Sequence, residues 1–186
     1  MRLFVAIEIP SEIRNALAVF LKELRGVAPQ AKWVRAENLH VTLKFLGETD
    51  AARARAIESA LGSIRSAQPV ALEFHRLGFF PNERRPRVFW VGMEASANLK
   101  PLVENIDRSL HQLGFPLEDR PFAPHLTLAR FNPPGLPPKL GSMVTEHSFR
   151  RFGSLTAREF HLIESKLKST GAEHTTLKSF PFVAET

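Results

Sequence analysis

His40-Val41-Thr42-Leu43, within HVTLKFLG, returns in the second half of the chain as His125-Leu126-Thr127-Leu128, within HLTLARF. Both tetrapeptides lie in short apolar runs bounded by turn residues, the pattern of buried β-strands. Side chains alternate faces along a strand. Each copy therefore presents its histidine and threonine on one face and sends Val41 and Leu43, or Leu126 and Leu128, to the other. Two such strands facing a common space would offer it two imidazoles and two hydroxyls, a set suited to acid–base chemistry on a phosphate. A single His-apolar-Ser/Thr-apolar match is weak, since roughly 2% of histidines carry one on average composition. Two among the seven histidines of this chain are expected by accident in about 1% of comparable sequences. Strict alternation adds Lys44 to the face of His40 and puts Arg130 on the face opposite His125. Arg130 reaches a phosphate there only where its strand bends or ends, and its counterpart in the first copy is Phe45.

Upstream of the first motif, Leu3, Val5, Ile7 and Ile9 alternate with Phe4 and Ala6, which predicts a central strand, apolar on both faces and ended by Pro10. Ser11 is placed to cap a helix whose buried face carries Ile13, Leu17, Phe20, Leu21 and Leu24, with Gly26 as its stop. Residues 31–36 predict a short edge strand. Asp50 caps a second helix through Ile57, Leu61 and Ile64. Pro69 to Phe80 and Arg87 to Met93 predict a long hairpin around the charged turn PNERRP. A third helix runs from Ser96 to the stop at Gly114. Beyond the second motif, residues 132–141 (NPPGLPPKLG) predict an irregular connection. Leu155 to Lys168 predicts one strand, and a last one follows Gly171 toward Phe182. The order argues for an α+β fold of mainly antiparallel sheet, with residues 1–186 as one domain. The paired motifs suggest two similar halves.

The net charge of +6 and pI near 10.2 favour a polyanionic partner. Cysteine is absent, which excludes disulfides, thiolate metal sites and cysteine nucleophiles. A zinc site normally takes three protein ligands, and neither His-x-His nor His-Glu-x-x-His occurs. Neither a Gly-x-Ser-x-Gly elbow nor a phosphate-binding Gly-x-x-x-x-Gly-Lys-Ser/Thr loop is present. No apolar run approaches the roughly 20 residues of a membrane helix, so a soluble, cytoplasmic protein is expected. Two histidines working as acid and base need neither metal nor loop, and imidazole titrates near neutrality.

The motifs HVTL and HLTL, with Arg130 completing HLTLAR, resemble the two-histidine phosphoesterase superfamily, and within it the bacterial RNA 2′,3′-cyclic phosphodiesterases, historically called 2′-5′ RNA ligases. The resemblance extends over RLFVAIEIP, Trp33, PRVFWVG, the run Gly114 to Arg130 with PFAPHLTLAR, and LIESKLKSTG, nearly the whole chain. It implies a bilobal fold with the motif strands facing each other across a cleft and helices outside. It also implies hydrolysis of an RNA terminal 2′,3′-cyclic phosphate to a 2′-phosphate; independence of metal and cofactor, and a monomer, are expected alongside. His40 would then be the acid that protonates the departing 3′-oxygen, His125 the base that activates water, and Thr42 and Thr127 the phosphate holders. Arg130 and Lys44 are candidate phosphate ligands. His174 stands where this family leads one to expect an aromatic such as tyrosine, and His75, His111, His147, His161 and His174 are read as structural or surface residues. The reverse reaction, joining RNA ends through a 2′-5′ linkage, and non-catalytic RNA binding are the alternatives.

Overall fold

The two motif strands lie at corresponding places in two different antiparallel sheets. A computed structural model describes residues 1–66, 68–169 and 171–182. In chain order the elements are β1 (Arg2–Glu8), α1 (Ser11–Val27), β2 (Lys32–Trp33), a 3₁₀ turn (Ala36–Asn38), β3 (His40–Glu48), α2 (Ala51–Gly62), β4 (Val70–Phe80), β5 (Val88–Ala95), α3 (Leu99–His111), β6 (His125–Arg130), α4 (Pro138–Glu146), β7 (Arg151–Ala157), β8 (Glu159–Lys168) and β9 (Gly171–Pro181). One sheet has the order β3-β1-β8-β9, the other β2-β6-β5-β4-β7. Apart from the edge strand β2, the orders match: each motif strand pairs with the strand that precedes its helix, β3 with β1 and β6 with β5. The third place in each sheet is filled from the other half of the chain, β8 in the first and β4 in the second.

The expected α+β architecture is thus present, with both sheets antiparallel. β1 reads apolar on both faces because it is central: Leu3, Val5 and Ile7 face the main core, while Phe4 and Ala6 pack on the other side with Ile163. α1 buries Ile13, Leu17, Phe20, Leu21 and Leu24, with Phe20 packed on Phe152 of β7 at 5.2 Å between ring centroids. Asp50 caps α2 as expected, its carboxylate accepting from the Arg53 N–H at 2.8 Å. On the far side of α2, the Arg53 guanidinium lies 3.9 Å over the Phe115 ring and donates to the Leu113 carbonyl. Gly114 ends the third helical segment at φ +83°, a conformation costly for a residue with a Cβ.

Three expectations are corrected. The stretch 132–141 is irregular only as far as Pro137; α4 begins at Pro138, whose fixed φ and missing N–H suit a first helical turn, and buries Leu140 and Val144 one turn apart. The segment read as one strand from Leu155 to Lys168 is two, divided at Arg158, where the chain leaves the second sheet for the first. α3 begins at Leu99 rather than Ser96, whose hydroxyl instead accepts from the Ala71 N–H and donates to Asn98. No helix among the described residues is long and apolar enough to cross a membrane.

Candidate active site

A cleft of about 350 Å³ opens between the sheets, and both motif strands line it: His40, Thr42 and Phe45 from β3, His125, Thr127 and Arg130 from β6. Trp33 and Arg35 wall it near the 3₁₀ turn, and Phe4, Leu167 and His174 close the side of the first sheet.

Main-chain register decides which side chains reach this space. On β3, Thr42 pairs with Ala6 and Lys44 with Val5, so Leu43 has no partner of its own; on β6, Thr127 pairs with Trp90 and Ala129 with Phe89, so Leu128 has none. Each motif therefore carries a β-bulge at its fourth residue. A bulge inserts one residue and reverses the parity of facing beyond it. Phe45 and Arg130 join the cleft as a result, while Lys44 and Ala129 turn to the opposite side and are buried. The bend that Arg130 requires is present. The face expected for Lys44 is not: its ammonium lies 2.5 Å from Asp107 of α3, 3.2 Å from Glu118 and 2.6 Å from the Pro116 carbonyl. Lys44 fastens α3 and the following loop to the back of β3, so it is no phosphate ligand in this arrangement.

Both imidazoles are held in the same way. The Nδ1 of His40 lies 2.6 Å from the Asn38 carbonyl, and the Nδ1 of His125 lies 2.8 Å from the Ala123 carbonyl, in each case two residues back. A carbonyl oxygen only accepts, so each Nδ1 donates, and Nε2 is left as the nitrogen that takes or gives a proton. Asn38 is itself fixed, its side-chain amide donating to the Ala172 carbonyl of β9 at 2.6 Å.

The surroundings of the two rings differ. His40 packs against Phe4 at 4.5 Å and edge-on to His174 at 5.1 Å. Burial, reinforced by the neighbouring His174, pushes its pKa down to about 4 against the opposing pull of the Asn38 carbonyl and of Glu8. His125 meets the edge of Phe80 at 5.0 Å; burial lowers its pKa as well, opposed by the Ala123 carbonyl and assisted by the Arg130 charge. His174, which no motif singled out, belongs to this site, and burial lowers its pKa also. The signal for it in the sequence was its place in the family pattern, where an aromatic is expected. Arg84, Arg85 and Arg87 sit at the exposed hairpin tip and do not line the cleft. Among the described residues no group of three or more His, Cys, Asp or Glu side chains is disposed to hold a metal ion.

Two imidazoles with free Nε2 atoms, two threonines and a guanidinium on one cleft can hold a phosphate and pass protons on either side of it. The family model of LigT-like phosphoesterases matches the chain twice, over residues 7–90 and 91–172, each match holding one His-x-Thr. The chain belongs to this family. An RNA 2′,3′-cyclic phosphodiesterase of Archaeoglobus fulgidus is 37% identical over 97% of this chain and 99% of its own length. Among solved structures, a protein of Thermus thermophilus superposes with a TM-score of 0.80 at 31% identity, covering 98% of both chains. Escherichia coli LigT complexed with 3′-AMP gives 0.75 at 29% identity, covering 97% of both. The double match also agrees with two similar halves, whose likeness is plain in the sequence only at the motifs.

Proposed function

We propose that this protein hydrolyses the 2′,3′-cyclic phosphate at an RNA end to a 2′-phosphate, as a monomeric, single-domain cytoplasmic enzyme that uses a His acid and a His base without metal or cofactor. The observation that carries the reading is the pair of imidazoles, each anchored through Nδ1 to its own main chain and each beside a threonine, on the two walls of one cleft. The name borne by the Archaeoglobus relative supports the choice of substrate.

In this mechanism Nε2 of His125 takes a proton from water as its oxygen attacks phosphorus. The bond from phosphorus to the 3′-oxygen breaks, and Nε2 of His40 gives its proton to that oxygen. Thr42 and Thr127 donate to the non-bridging oxygens, and Arg130 offsets the charge that grows there. Exchange with solvent then resets both rings.

His40 must enter the step protonated, yet in the free protein its pKa is only about 4. The substrate supplies the remedy. A cyclic phosphate carries a negative charge into a low-dielectric cleft, and an adjacent anion favours the charged imidazolium. The acid is thereby armed by the molecule it acts on.

The test is incubation with a dinucleotide ending in a 2′,3′-cyclic phosphate, followed by locating the phosphate in the product. A 2′-phosphate is expected. A 3′-phosphate would overturn the assigned leaving group, and tight binding without product would point to a non-catalytic RNA-binding protein. Offering a second RNA with a free 5′ end in the same assay measures 2′-5′ joining against hydrolysis.

A further inference from the structure

Past His125 the surface of the second sheet carries another hollow, of about 230 Å³, lined by Phe80, Trp90, Gly92, His75, Arg76 and His125 itself. We propose that this hollow is a nucleobase subsite, occupied by the base of the nucleotide that precedes the cyclic end of the RNA. The inference rests on the reaction proposed above and extends its substrate by one residue.

Register places the hollow on the reacting face. His125 pairs with Gly92 and Thr127 with Trp90, and Trp90 pairs in turn with Gly78 of β4. Residues directly opposite each other on neighbouring strands share a face. The floor of the cleft therefore continues from the motif strand across β5 to β4, and its first large side chain beyond Thr127 is the Trp90 indole.

The seat of that indole is unusual. A Cβ on Gly78 would come within 2.3 Å of the indole ring, and one on Gly92 within 3.0 Å. The ring thus lies flat across two glycines, where even an alanine at Gly78 would displace it. Its N–H is buried without a hydrogen-bond partner among the described residues. The indole brings a broad π-face to this position. Phe80 stands beside it, 5.2 Å between centroids, and lies nearly perpendicular to the His125 ring. An aromatic surface thus runs unbroken from the reactive imidazole into the hollow.

Polar groups stand at the rim. A bulge on β4, with Arg76 at φ +66°, puts the consecutive residues His75 and Arg76 at the same hollow. The His75 ring lies 3.4 Å from the Glu94 carboxylate and the Arg76 guanidinium 3.6 Å from it. The rim thus holds an ion-paired cluster that includes the Glu94 carboxylate, and the recognition rests on the aromatic faces below it, since every base offers a π-face. A terminal nucleotide whose cyclic phosphate lies against His125 fills the main cleft, and the next base toward the 5′ end lies within reach of Trp90.

The test compares three substrates: a nucleoside 2′,3′-cyclic phosphate, a dinucleotide with the same cyclic end, and that dinucleotide made abasic at its first position. Stacking on an aromatic face supports a gain of about 5- to 150-fold per base. The intact dinucleotide should therefore exceed the other two in kcat/KM by about tenfold or more, and Trp90→Leu, which keeps apolar bulk over the glycines but removes the π-face, should bring that ratio close to one. Equal kcat/KM for the intact and abasic dinucleotides, or a ratio unchanged in Trp90→Leu, would overturn the subsite. Because the readout is a ratio, a variant that merely folds less well leaves it unaltered. The same two dinucleotides ending in a 3′-phosphate, compared by equilibrium binding, give the ratio even where no cyclic phosphate is hydrolysed. Failure of the reaction and failure of the subsite are then separate results.

Discussion

The two motif strands are alike in their main chains and unlike in nearly everything that touches them. Both fix the imidazole through a carbonyl two residues back, and both bulge at the fourth residue of the motif. Yet the bulge delivers Phe45 to the cleft on one strand and Arg130 on the other. Opposite His40 stands Glu8, whereas opposite His125 stands Gly92, whose missing side chain leaves room for the second hollow. The shared backbone leaves Nε2 of each ring as the free nitrogen. The unshared neighbours settle how readily each ring holds a proton, so a duplicated scaffold could serve the proposed reaction, whose two sides differ.

The strongest way to break this comparison is to remove the rings in turn. His40→Ala and His125→Ala should each lower kcat by about 10²–10⁴ while the circular dichroism and melting temperature stay near those of the parent; an active variant of either kind would end the acid–base reading. Lys44→Ala tests the claim that the bulge has taken this residue out of the cleft. It should cost about 3 kcal/mol in urea unfolding, because Asp107 is left beside an unpartnered space, with kcat per folded molecule unchanged. Next comes the pair that differs most. Arg130→Ala should lower kcat about 10²-fold by removing positive charge from the developing phosphate, whereas Phe45→Ala should raise KM a few-fold with little effect on kcat, as loss of apolar contact would.

The smallest effect concerns proton affinity. Because His40 and His125 are both shifted below the ordinary histidine value, the form with one ring protonated and one neutral is most abundant on the acid side of 6.5. The bell of kcat/KM, which reports the free enzyme, should be centred there. His174→Gln removes a ring whose charge opposes protonation of His40, so the His40 pKa should rise and the bell should move toward neutrality. A profile unmoved by that change would separate His174 from the acid.

Much of this was legible in the chain. Alternation placed His40, Thr42, His125 and Thr127 together, because the register before each bulge is regular, and the caps at Asp50 and Gly114 reflect local chemistry. Lys44 was misplaced since a bulge depends on how two strands align over their whole length, and nothing local in HVTLKFLG announces it. α4 was hidden because proline breaks a helix interior but suits its first turn, and Pro138 reads alike in both cases. The break at Arg158 was invisible for another reason. Leu155 to Lys168 keeps a strand pattern throughout, and only the partners on either side, β4 and then β1, show that two sheets share it. His174 acquires its meaning only when β9 folds back beside Asn38.

The exchange of third strands between the sheets has a consequence for biosynthesis. β1 is made long before its neighbour β8. Phe4 and His40 then wait for β9 to bring His174, and the Asn38 amide waits for the Ala172 carbonyl. Long sequence separation slows such pairings, and a nascent chain cut anywhere before Glu159 lacks both strands that complete the first sheet. The surroundings of His40 are therefore completed after those of His125, and a chain cut before Glu159 should carry no stray phosphodiesterase activity.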